Sequence, residues 1–134
     1  MTTPPVDLPL LTTEQEVLAR IGTIVTPVCA QRLWLLFVDG DGRQAPAVVP
    51  ISGLPLRPDR HLVGLAKILG GLRHELLKDR GGGAVILAWE RPGGDEVLSA
   101  DHEWAEALIG MCRTADVPLR GVYLRTPGDV QRLG

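Results

Sequence analysis

Cysteine is nearly absent. Only Cys29 and Cys112 occur, far apart and in no CxxC pattern, which excludes a disulfide scaffold and a zinc ribbon and predicts two reduced core thiols. Charge of one sign is missing too: sixteen acids against fourteen bases leave a formal net charge of -2. No global positive field exists to hold nucleic acid or an anionic membrane. No apolar run approaches the roughly 20 residues of a membrane span. The opening MTTPPVDLPLL lacks the basic region and apolar stretch of a signal peptide, so a cytoplasmic protein with no membrane partner is expected. Aromatic residues make up only 4%. A stacking platform for bases or sugars would have to draw on Trp34, Trp89 and Trp104, and each lies in or beside an apolar run, which marks them as core.

What is present is a hydrophobic share of 45% beside 22% charged residues over 134 residues, enough for one globular domain with a real core. Residues 1–11, with Pro4, Pro5 and Pro9 in no period, read as a flexible arm ahead of a single domain over 12–134. Thr13 and Glu16 have capping-box spacing, and Val17, Leu18 and Ile21 supply an apolar stripe for a helix over about 13–21, closed by Gly22. The run Leu33 to Val38 is continuous and apolar, as in a strand buried on both faces, and Asp39-Gly40-Asp41-Gly42 can supply the positive φ of a hairpin turn. On the return, Pro46 and Pro50 confine residues 45–51 to a sheet edge or a short strand.

Asp59 can cap a helix carrying Leu62, Leu65, Ala66, Leu69, Leu72 and Leu76, which Gly81-Gly82-Gly83 ends. Ala84 to Trp89 repeats the doubly buried strand pattern, Glu90 to Leu98 reads as a loop, and Ser99 opens an amphipathic helix with Trp104, Ala107, Leu108, Met111 and Ala115 on its stripe. Leu119 to Leu124 is a last strand before a turn at 126–129 and a tail. The order α-β-β-α-β-α-β predicts an α/β fold: a mixed β-sheet with one antiparallel hairpin and two helix crossovers that favour parallel neighbours. No phosphate loop is formed by the triple glycine, since a strand rather than a helix follows it, and no nucleophile elbow is present.

The segment Leu87 to Asp95, with Ser99 and Asp101 behind it, resembles the metal-site segment of the RadC branch of the JAB/MPN metalloprotease-like family. That family writes a strand, HxHPSGD, about six residues, and an Asp at the start of a helix. Arg32 to Asp39 with Gly42 and Arg43 is similar to its first hairpin, and the likeness runs over residues 31–126. It implies a JAB/MPN-like, cytidine-deaminase-like architecture. It also implies a lost zinc centre: Trp89 and Arg91 stand at the positions of the two zinc-binding histidines, Gly93 at the oxyanion-assisting Ser, and Ala47 or Val48 at the general-base Glu. Only Asp101 matches, with nine residues between it and Arg91 where the family has ten. Catalytic zinc takes about three ligands from His, Cys, Asp or Glu, and neither an indole nor a guanidinium can serve.

The resemblance therefore implies a non-catalytic pseudoenzyme domain, without metal or other cofactor, acting in protein binding or assembly with an unknown protein partner or as a homo-oligomer. Its degenerate pocket would be formed by Trp89, Glu90, Arg91, Asp95 and Asp101. In it Arg91 is expected to replace the lost cation by pairing with Asp101 or Asp95. Two alternatives stand beside this reading. One is a hydrolase with a rearranged acid and histidine site at Asp95, Asp101 and His102, although acids at a helix start also serve the dipole alone. The other is a nucleic-acid-associated protein using Arg57, Arg60, Arg73 and Arg91, against which the overall charge argues.

Overall fold

The computed structural model describes residues 9–134 apart from 56, 80 and 81. Its elements are α1 (Glu14–Ile24), β1 (Arg32–Asp39), β2 (Gln44–Ser52), α2 (His61–Leu77), β3 (Gly83–Glu90), α3 (Ser99–Thr114), β4 (Leu119–Thr126) and β5 (Asp129–Arg132). The five strands form one mixed sheet in the order β2-β1-β3-β4-β5.

Alternation along the strands sorts the core into two layers. Leu33, Leu35 and Phe37 of β1 join Leu87 and Trp89 of β3 under α2 and α3. Leu36, Val38, Ile86 and Ala88 face the other way, onto Val17 and Ile21 of α1. Each continuous apolar run therefore feeds two cores, as its lack of polar alternation predicts.

The crossovers are where the expected topology needs correcting. α3 does join parallel neighbours, β3 and β4. The α2 connection instead carries the chain past β1, and β3 pairs with β1 antiparallel over its full length, from Arg32 opposite Glu90 to Asp39 opposite Gly83. β1 is antiparallel to both neighbours, so β2 and β3 run in the same direction without touching. Sequence order alone cannot reveal a strand inserted between the two ends of a crossover.

Smaller differences have local causes. α1 continues past Gly22 to Ile24, because one glycine in a helix held by a capping box and a buried stripe costs only about 1 kcal/mol. The capping box forms as its spacing requires: Glu16 accepts from the Thr13 amide at 2.9 Å, and Thr13 Oγ1 accepts from the Glu16 amide at 3.2 Å. Asp59 accepts from the His61 amide at 2.9 Å, but it stands one residue ahead of the N-cap expected of it: that position is taken by Arg60, which makes no side-chain cap bond. Of the triple glycine, Gly81 lies outside the described residues. Gly83, at φ 151°, opens β3 where a Cβ would strike the Val38 carbonyl of β1. The expected tail is a strand, β5, returning antiparallel along β4 from the turn at Thr126. Within the arm expected over 1–11, residues 1–8 lie outside the described residues. Pro9 to Leu11 are docked, with the Leu11 amide donating to Gly42 at 2.7 Å and its side chain 1% exposed.

β2 lies at the sheet edge as its prolines require, although nine residues make it the longest strand rather than a short one. Pro46 and Pro50 are both exposed and share a parity along the strand, consistent with their missing N–H groups lying on the free edge. Hydrogen exchange monitored by mass spectrometry should be slowest in β1 and β3, each paired on both sides, and faster in β2 and β5. Slower exchange in 44–52 than in both central strands would contradict this sheet order.

Among the described residues, no helix is long and apolar enough to cross a membrane.

Candidate functional site

The C-terminal end of β3 meets the start of α3, the place where open α/β sheets hold ligands. Three consecutive residues there, Trp89, Glu90 and Arg91, are each no more than 5% exposed. Strand alternation sends Trp89 under the helices and Glu90 to the opposite face.

Trp89 stacks on Trp104 of α3 with ring centroids 4.9 Å apart and planes 24° from parallel. The Trp104 indole N–H donates to the Pro55 carbonyl at 3.2 Å. Both rings are core, as read from their apolar neighbours.

Arg91 leaves the strand with its own amide bonded to the Arg125 carbonyl at 3.0 Å, which prolongs the β3–β4 ladder by one residue. Its guanidinium turns onto Asp101: Nε lies 2.9 Å from Oδ1, and Nη2 lies 2.9 Å from Oδ2. The expected pairing with Asp101 is therefore present, in bidentate form. The remaining N–H groups are also used. Nη1 donates to the Pro92 and Gly94 carbonyls at 3.1 Å each, and Nη2 to the Glu96 carbonyl at 2.8 Å. One side chain thus shapes the whole loop 92–98. Asp101, 1% exposed, also accepts from the Leu98 amide at 2.8 Å, which closes the first turn of α3.

Asp95 takes a different partner from the one offered to it. It accepts from Thr126 Oγ1 at 2.7 Å and from the Gly128 amide at 3.0 Å, so it ties the loop to the β4–β5 turn. These bonds, with the charges of Arg91 and Arg125 nearby, hold its carboxyl below the usual Asp value. His102 and Glu106 are exposed on α3, and His61 and His74 are exposed on α2. Among the described residues, no three His, Cys, Asp or Glu side chains are grouped to hold a metal ion.

Glu90 is the residue that sequence reasoning placed in a loop and underrated. It ends β3, is fully buried, and receives five hydrogen bonds. Arg32 donates from Nε at 2.8 Å and Nη2 at 3.1 Å, the Trp34 indole at 2.9 Å, and the Cys29 and Ala30 amides at 2.9 and 3.3 Å. Burial pushes its pKa up, but the Arg32, Trp34 and backbone donors outweigh that and hold it below the ordinary carboxylate value. A signal was available: Arg32 opens one apolar run, Glu90 closes another of equal length, and antiparallel pairing sets the two opposite each other.

Cys29 is exposed rather than a core thiol, because Glu90 holds its backbone while its Sγ accepts from Arg32 at 2.9 Å. Cys112 is buried as expected, and burial pushes its thiol up to about 11. Tyr123 was missed as well. Its buried hydroxyl donates to Glu14 at 2.6 Å, and burial with that bond raises it to about 12.

The fold and this geometry define a five-stranded mixed α/β domain in which the usual ligand position at the strand ends is filled by two saturated polar clusters, one on each face. No family model and no curated protein matches the chain.

Proposed function

We propose that the chain is a RadC/JAB-like domain that has lost its zinc centre and serves in protein binding or assembly in the cytoplasm. The observation supporting this is the Arg91–Asp101 pair. The resemblance puts a zinc-binding histidine at Arg91 and the retained acid at Asp101, and the two side chains meet face to face, 6% and 1% exposed. A guanidinium there supplies the positive charge that the acid needs without any ligand set, and its donors leave no lone pair for a metal. The reading makes Arg91 a fixed substitute for a dication: it preserves the loop and the head of α3 but provides no activated water.

The test is elemental analysis of the purified, full-length protein. Zinc well below one atom per chain is expected, and Asp101→Ala should leave that content unchanged. About one tightly bound zinc per chain, lost in Asp101→Ala, would end this reading.

A further inference from the structure

Pro9 to Leu11 run antiparallel to the chain entering β2, on its free edge, with Leu10 opposite Arg43. Two hydrogen bonds fix the register: the Leu11 amide donates to the Gly42 carbonyl at 2.7 Å, and the Gln44 amide donates to the Pro9 carbonyl at 3.0 Å. Leu11 with Gly42 and Pro9 with Gln44 are therefore hydrogen-bonded pairs, and Leu10 with Arg43 is the non-hydrogen-bonded pair between them. Beyond Gln44, no described strand covers this side of β2, which ends the sheet. β2 carries two extra residues between the partners of Val38 and Leu36, and an even number leaves its alternation in phase. Gln44, Pro46, Val48 and Pro50 thus turn their main-chain groups outward.

This edge is selective. Pro46 and Pro50 have no N–H to give, so an arbitrary strand laid along it loses a hydrogen bond at every second pair. The sequence ahead of Pro9 is matched to that gap. Continued in the register of Leu10 and Arg43, it sets Asp7 opposite Pro46, Pro5 opposite Val48 and Thr3 opposite Pro50. No proline meets a proline. Each pair keeps one bond, from Asp7 to the Pro46 carbonyl, from Val48 to the Pro5 carbonyl and from Thr3 to the Pro50 carbonyl, just as Pro9 and Gln44 already keep one. Side chains agree. Val6-Asp7-Leu8-Pro9-Leu10 has the period of a half-buried strand. Leu11 is buried on the α1 face, so Leu10, Leu8 and Val6 take the other face, beside Arg43, Ala45 and Ala47. Ala45 belongs to the core on that face, and Leu10, 40% exposed, opens an apolar row that Leu8 and Val6 would continue. Pro4 would turn its missing N–H to solvent and stop any further strand from adding.

We infer that residues 3–8 lie along β2 as a sixth strand, in the register set by Leu10 and Arg43, so that the chain closes this sheet edge with its own leading segment. Because the root of the segment is already seated, its effective concentration at the edge exceeds that of any free strand. One bond per pair still leaves β2 less protected than β1 and β3. The edge is separate from the Arg91 cluster, and the sixth strand stands whether or not the zinc reading does.

Amide hydrogen exchange of the full chain, followed residue by residue by NMR, tests this. The Val48 amide faces the free edge and should exchange at least about tenfold more slowly than an unprotected amide. Val6→Asp with Leu8→Asp should return it to within about twofold of the unprotected rate, while the Val49 amide, which faces β1, stays unchanged. Free exchange of Val48 in the wild type overturns the inference, as does protection that survives the double substitution. Cross-linking reads the register separately. In a Cys29→Ser background, Val6→Cys with Ala47→Cys, a directly opposed pair, should form an intrachain disulfide about tenfold faster on mild oxidation than Val6→Cys with Ile51→Cys. Equal rates overturn the register. Val48 protection that rises with protein concentration, or a disulfide formed only between chains, assigns the edge to a second copy and equally overturns the inference.

Discussion

Arg91→Ala is expected to lower folding stability by about 3–5 kcal/mol, the cost of leaving a buried carboxylate without its partner. The structure gives this loss two sources. Asp101 stays 1% exposed with only the Leu98 amide to hold it, and the Pro92, Gly94 and Glu96 carbonyls lose the donor that shapes their loop. For a chain of this size the melting temperature should fall by roughly 10 to 20 °C. Adding Asp101→Asn to the alanine variant removes the stranded charge and should recover part of the loss, so a double-mutant cycle should return a coupling of about 1–3 kcal/mol. Strictly additive losses would mean that the guanidinium acts through its loop carbonyls alone and that the ion pair contributes nothing.

Glu90→Gln should be the next most damaging change, at about 2–4 kcal/mol near neutral pH, because whichever oxygen becomes –NH₂ then faces either the two donors at Oε1 or the three at Oε2, and Arg32 is left without its counter-charge. The pH dependence identifies the mechanism. The folded-state pKa of Glu90 is held below its ordinary value of 4.5. The stability this provides is therefore complete above 4.5 and is lost as pH falls through the lowered folded value. Denaturant unfolding should show a constant gap between wild type and Glu90→Gln from about pH 7 to 5, narrowing steadily below about pH 4.5. A gap that stays the same down to pH 3 would show that shape, not ionisation, is what Glu90 contributes.

Much of the fold was legible because its central strands announce themselves. An apolar run bounded by turn residues has few alternatives, and both runs became strands buried on two faces. The edge position of β2 followed from a missing N–H group, a matter of covalent structure. What escaped was non-local. β5 has only four residues, Asp129–Arg132, with no apolar run of its own, and it is a strand because β4 offers it a partner. The insertion of β1 between β2 and β3 is likewise decided by packing and not by any stretch of chain. The Arg91–Asp101 pair was legible because its members are ten positions apart on either side of one loop. The Glu90 cluster was not, since its donors lie 56 to 61 residues away and an isolated glutamate after a strand reads as the first residue of a loop.

Glu90 and Arg91 also separate two stages of assembly. Every partner of the Arg91 side chain lies within ten residues of it, so that cluster can close as soon as β3, its loop and the head of α3 come together. Glu90, its immediate neighbour, has to wait for residues 29 to 34, and closing a loop of that length costs about 1.5 kcal/mol more in chain entropy than closing one of ten. The dipeptide is therefore early on one side and late on the other. The β3–α3 unit is able to form as a local kernel. The connection from α1 into β1 is fastened only when the N-terminal half has found its place, and interactions made that late act mainly on how slowly the finished domain comes apart.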